Sequence, residues 1–134
     1  MQEVTRNRQT DLLQGLRMNE IVFVLGTQYQ IVIGNQDEYP CLADCDGYMD
    51  SSVHKIVISD MQGDDREQFS KEDIEAYQKQ VCRHEIIHAF LHESGLSGCT
   101  SIEVSWAMNE EMVDWMAIQF PKIHRAFLEA GAYG

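Results

Sequence analysis

Five consecutive residues, His84-Glu85-Ile86-Ile87-His88, have the types and the spacing that metal-assisted hydrolysis needs. On an α-helix, side chains four residues apart stand one turn above the other on the same face. Two imidazoles so placed can hold one Zn²⁺, an ion that prefers four tetrahedral ligands. Glu85 cannot easily bind the same ion, but it can reach a water that does, and there it can serve as general base. The bland alternative is a helix with two ordinary histidines. The residues downstream weigh against it.

A catalytic zinc needs a third protein ligand and keeps its fourth position for water. His92, Glu93, Glu110 and Glu111 are the candidates. His84 and His92 are eight residues apart, about 12 Å of helical rise, so a straight helix cannot bring both to one ion. Pairing His92 with His88 instead abandons His84 and the placement of Glu85. His92 therefore reads as a surface or cleft residue. The run Asn109-Glu110-Glu111-Met112-Val113-Asp114 is the better source. A second helix can cross the first and offer one carboxylate from the side. Glu110 and Asp114 are one turn apart on one face. Glu110 can then bind the ion while Asp114 accepts the free ring N–H of a histidine, His84 first, as metal-bound histidines require. Glu111 points about 100° away and is the weaker choice. The structural alternative for Asp114 is a carboxylate on the helix surface.

The elements around these residues read as α+β. Residues 20–25 and 28–33 are rich in β-branched and aromatic side chains and suggest a hairpin turning at Gly26-Thr27. Residues 39–52 are loop-like, with a tight turn favoured at Asp46-Gly47. The strand Lys55-Ile56-Val57-Ile58-Ser59 follows and is expected to pair near residues 46–50 or with the first hairpin. Ser70 and Asp73 suggest a capping box that opens a long helix near Lys71. Ile74, Tyr77, Val81, His84 and His88 form one stripe of it, Ile87 and Leu91 extend a neighbouring one, and Gly95 suits its C-cap. A second helix is expected over residues 104–120, capped by Ser101 or Ser105. Pro121 should stop it and open a short terminal helix ending at Gly131. Residues 1–19 read as an arm or short helix, and residues 20–134 as one domain.

The chain has 134 residues, 44% of them hydrophobic, with 22 acidic and 10 basic side chains and a formal net charge of −12. That length can bury a real core. No Lys/Arg cluster exists to face phosphates, which excludes nucleic acid as an expected partner. The acidity also disfavours anionic membrane surfaces, and no apolar run is long enough to span a bilayer. Residues 1–19 lack the apolar core of a secretory signal. The cytoplasm is the expected location, and the four cysteines, Cys41, Cys45, Cys82 and Cys99, read as reduced thiols there. A loose metal pair at Cys41 and Cys45 is a minor alternative.

HEIIH followed by NEEMVD resembles the zincin metallopeptidases of the gluzincin type. In that family a Glu on the next helix completes the site, with an Asp or Asn four residues later. Residue by residue, the resemblance places His84, His88 and Glu110 on the metal, Glu85 as catalytic base and Asp114 behind a liganding histidine. The chain as a whole is similar to small phage- and prophage-encoded metallopeptidases, compact minimal zincins. The metzincin pattern is absent, since Leu91 and Ser94 stand where it has Gly and His. The resemblance implies a small mixed or antiparallel sheet packed on a long zinc-bearing helix, followed by two C-terminal helices. It also implies an edge strand along the cleft, for which Lys55–Ser59 is the candidate, its alternative being a protected core strand.

The expected chemistry is hydrolysis of a peptide or protein substrate, one specific partner protein being one such case. Glu85 handles the proton, and a protein donor holds the oxyanion. His92, His124, Tyr77, Tyr48 and Tyr133 can supply that donor, with His124 or His92 preferred. Two other classes stay open. One is a zinc-binding accessory or structural protein of phage type with little or no peptidase activity. The other is a metal-dependent hydrolase of a non-peptide amide.

Overall fold

The computed structural model describes residues 20–62, 73–99 and 109–133. It is α+β: strands β1 (Ile21–Val24), β2 (Thr27–Gly34), β3 (Gly47–Asp50) and β4 (Lys55–Ser59), with a 3₁₀ turn at Pro40–Ala43. Helices α1 (Ile74–Glu93), α2 (Leu96–Cys99) and α3 (Glu110–Glu129) follow. The expected arm at residues 1–19, the Ser70 cap and the caps at Ser101 or Ser105 lie outside the described residues.

The four strands form one mixed sheet in the order β1-β2-β4-β3. β1 and β2 make the expected hairpin, with Val24 opposite Thr27. Leu25 and Gly26 turn it at φ 48° and 86°, a left-handed conformation that glycine adopts without cost. β4 runs parallel to β2, pairing Ile31 with Ile56 and Ile33 with Ile58. On its other side β4 meets β3 antiparallel, pairing Tyr48 with Val57 and Met49 with Ile56. Both suggested partners of Lys55–Ser59 are therefore real. The strand is central, not the edge that the family resemblance implied. β3 is the outer strand next to it.

Burial explains the order. Ile56, Val57 and Ile58 are all 0% exposed, which only a strand paired on both sides and covered on both faces sustains. Ile56 and Ile58 join Val24, Tyr29, Cys82 and Ala89 in the main core, with Ile31, Ile33, Met49, Val81 and Ile86 packed on it. Fully burying one such isoleucine is worth roughly 1.5–3 kcal/mol. Gln78, Cys82, Glu85 and Ala89 form the buried stripe of α1. The stripe read from sequence, Tyr77-Val81-His84-His88, lies one residue round the helix, in partial exposure. Buried Gln78 adds a directional tie, its amide donating to the Ser59 carbonyl at 2.9 Å.

The ends of α1 are set locally. Asp73 is the N-cap, accepting from the Ala76 N–H. The helix closes at Glu93, and Gly95 takes φ 85°, as expected of a C-cap glycine. Glu93 is fastened to the hairpin: the Tyr29 hydroxyl donates to it at 2.7 Å and the Thr27 hydroxyl at 3.0 Å.

α3 departs from expectation. It begins at Glu110, with Asn109 as N-cap accepting from the Met112 N–H. It runs through Pro121 to Glu129 without the expected break. Val113 and Ala117, one turn apart and 0% exposed, are its buried face. Val113 packs with Leu91, Ile87 and Met112, a second and smaller core between α1 and α3. Among the described residues, no helix is long and apolar enough to cross a membrane.

Candidate metal centre

His84 and His88 stand side by side on α1, their rings edge to face with centroids 4.7 Å apart. Their Nε2 atoms are 3.0 Å apart. Glu110, the first residue of α3, brings Oε2 to 2.9 Å from His84 Nε2 and 3.1 Å from His88 Nε2. Three ligand-type atoms from two helices thus form a nearly equilateral triangle. Asp114, one turn further along α3, lies behind His84, with Oδ1 2.6 Å from Nδ1. Glu111 is exposed and does not line the site.

The donor set fits a cation. A contact of 2.6 Å to a carboxylate calls for a proton on His84 Nδ1, which leaves Nε2 with a lone pair. That lone pair faces a carboxylate oxygen and a second ring nitrogen. Three electron-rich atoms within about 3 Å repel one another unless a proton or a cation sits among them. Ligand atoms of a tetrahedral ion, each about 2.0–2.1 Å away, are separated by roughly 3.3 Å. The observed triangle is close to that spacing. Glu110 also suits its place at a helix N-terminus, where the backbone dipole favours negative charge.

Glu85 differs from the other carboxylates. It faces the sheet, 7% exposed, with Oε1 3.8 Å from His84 Nε2. A ligand atom from each of His84, Glu85 and His88 fits within 4.8 Å of the others. Burial pushes the Glu85 carboxyl up to about 7; nearby Glu110 and Asp114 push the same way and His84 opposes them. A carboxyl in that range suits proton transfer near neutral pH.

The cluster opens into a cavity of about 580 Å³, lined by Cys45–Met49, Tyr77, Gln80, Val81 and the site residues. β3 forms one wall. It can run this close to α1 because Gly47 has no side chain: a Cβ there would lie 2.5 Å from Val81 Cγ1 and 3.7 Å from Glu85 Cγ. From sequence alone Gly47 reads only as a turn residue. Its signal, a glycine at the start of a strand facing the helix, depends on a partner distant in the chain.

Two preferred oxyanion donors are not here. His92 is exposed and outside the cavity lining. His124 lies far along α3, its Nδ1 2.7 Å from the Tyr133 hydroxyl, so Tyr133 is displaced with it. Tyr48 and Tyr77 do reach the lining. Tyr48 alternates along β3 with Met49, whose side chain packs in the α1-facing core, so its own side chain rises on the other face. Tyr77 stands on the histidine stripe, and its hydroxyl donates to Asp46. Cys41, Cys45 and Cys82 are free thiols, and the Cys45 thiol donates to the Cys41 carbonyl at 3.2 Å. No family model, curated protein or solved structure matches the chain.

Proposed function

We propose that the protein is a zinc-dependent hydrolase of peptide bonds. One observation carries the reading: His84, His88 and Glu110 converge at 2.9–3.1 Å beside a buried Glu85. A structural cation site needs only the first three. A buried carboxyl whose proton affinity is raised towards neutrality, at the mouth of an open cavity, is what a general base requires.

When bound, the ion polarises the scissile carbonyl and acidifies a water at neutral pH. Glu85 takes the proton of the attacking water and delivers it to the leaving amine. Asp114 keeps His84 in the tautomer whose Nε2 is free to bind, and steadies the ring as charge develops. Tyr77 lies in the lining, and its hydroxyl, which donates to Asp46, would have to turn from that carboxylate to donate to the carbonyl oxygen as it becomes negative. β3, the outer strand along the cavity, offers main-chain groups to an extended peptide, which would add to the sheet as a further strand. The substrate is a peptide or protein segment able to adopt that extended form. The free thiols suit a reducing compartment, so a cytoplasmic location belongs to the same proposal.

The test is Glu85→Gln, which keeps size and removes the base. Zinc content and melting temperature should match wild type, while cleavage of an unstructured peptide mixture falls by about 10²–10⁴. Equal cleavage by the two proteins would refute the role of Glu85. A wild type that binds zinc and cuts nothing in the mixture would favour the accessory-protein alternative.

A further inference from the structure

Pro121 lies inside α3 and has no N–H to give. The carbonyl four residues earlier, that of Ala117, therefore loses its helical donor. Ala117 is 0% exposed, so water does not readily replace that donor, and a buried carbonyl left bare is costly. The donor comes from the other helix: Arg83 Nε donates to the Ala117 oxygen at 2.7 Å. Arg83 precedes His84 on α1, and Ala117 follows Asp114 by one turn on α3. The gap left by the proline is thus filled at the level of the His84–Asp114 pair.

Apart from the contacts that Glu110 and Asp114 themselves make with the histidines, the α1–α3 packing among the described residues is apolar, through Ile87, Leu91, Met112 and Val113. Such contacts are non-directional and allow one helix to slide on the other. The Glu110 and Asp114 side chains are 67% and 58% exposed, so burial does not hold them either. A guanidinium N–H aimed at a single carbonyl is directional. We propose that Arg83 is a positioning residue: by filling the gap left by Pro121 it sets where α3 lies along α1, and so places Glu110 and Asp114 against His84 and His88. Its functional meaning rests on the metal-centre reading.

The two residues are coupled, and that gives the test. Zinc affinity and the visible spectrum of the Co²⁺-loaded protein are compared for wild type, Arg83→Met, Pro121→Ala and the double variant. Arg83→Met should weaken zinc binding by about tenfold and alter the Co²⁺ bands. Pro121→Ala restores an N–H to the helix, so the double variant should regain the melting temperature lost to the bare carbonyl, while its zinc affinity stays about tenfold below wild type because the tie to α1 is still missing. A lower melting temperature in Arg83→Met with affinity and spectrum unchanged, or a double variant whose affinity and spectrum return to those of wild type, overturns the proposal. If Arg83→Met does not fold, the double variant takes its place, since Pro121→Ala satisfies the Ala117 carbonyl within α3; a zinc affinity identical to wild type then overturns the proposal. A second readout needs no metal: the NMR signal of the His84 Nδ1 proton held by Asp114. Wild type that takes up neither Zn²⁺ nor Co²⁺ defeats the metal-centre reading. The clamp is still judged then by that proton, which Arg83→Met should shift and the double variant should leave shifted. A proton that stays in place overturns the clamp.

Discussion

The two helices contribute to the site on different terms. α1 lies on the sheet along Gln78, Cys82, Glu85 and Ala89, all buried, and both its flanks are tied, by Gln78 to Ser59 and by Glu93 to the hairpin. The side chains of His84 and His88 are only 15% and 20% exposed. α3 meets α1 through Val113, Ala117 and the Arg83 contact, and its two site carboxylates are mostly in solvent. The proposed base and two of the proposed ligand atoms are therefore preset by the core. The third ligand atom and the histidine's partner are only as well placed as the docking of one helix. A site divided this way should fail in two distinct manners.

The largest expected effect falls on the α1 side. His88→Ala should remove measurable zinc binding at micromolar protein, since two remaining ligands do not hold the ion. Glu110→Ala should weaken it by more than about a hundredfold, and Asp114→Ala by about 10–100-fold, the usual cost of losing a histidine's carboxylate partner. Isothermal titration of metal-free protein gives all three. Glu110→Ala with unchanged affinity would show that α3 supplies no ligand.

A matched pair of core changes sharpens the contrast. Val113→Ala in the small interhelical core should cost about 2 kcal/mol, and Ile56→Val in the sheet about 1 kcal/mol. Chemical denaturation measures both. Only Val113→Ala should also weaken zinc binding in the folded protein, because only it loosens α3. Equal effects on affinity would mean that the two helices are held alike.

The smallest expected effect is on pH dependence, at the tied end of α1. The Tyr29 hydroxyl first, then that of Thr27, holds the Glu93 carboxyl below its ordinary value. The stabilisation is present above the unfolded-state value near 4.5 and is lost as pH falls through the lower folded value. The melting temperature of wild type should exceed that of Glu93→Gln at about pH 6, and the gap should shrink by about pH 3. A gap that widens in acid would mean that Glu93 is not stabilised as a carboxylate.

Much of the site could be read from the chain because its pieces obey helical spacing. His84 and His88, and Glu110 and Asp114, are each four apart, and that spacing alone puts each pair on one face. Whether the two faces meet depends on α3 crossing α1, and the structure brings them within hydrogen-bond distance. Gly95 marked the end of α1 by a conformation that glycine favours. What failed was non-local. Pro121 is an ordinary helix terminator until Arg83 supplies the donor its neighbour lacks, and no window of sequence contains both. β3 and β4 are both short, and which one is the edge depends on pairing order. Side-chain type alone favours His92 and His124 as donors but gives them no position, and both lie outside the cavity.

The most direct test of the central claim is a zinc-edge X-ray absorption spectrum of the metal-replete protein, taken for wild type and for Glu110→Ala. The expected wild-type site is a single zinc with two imidazole nitrogens and oxygen ligands, one from Glu110 and one from solvent, the Glu110 contribution lost in the variant. No bound zinc after metal loading, sulfur in the coordination shell, or a spectrum untouched by Glu110→Ala would contradict a centre built from two helices.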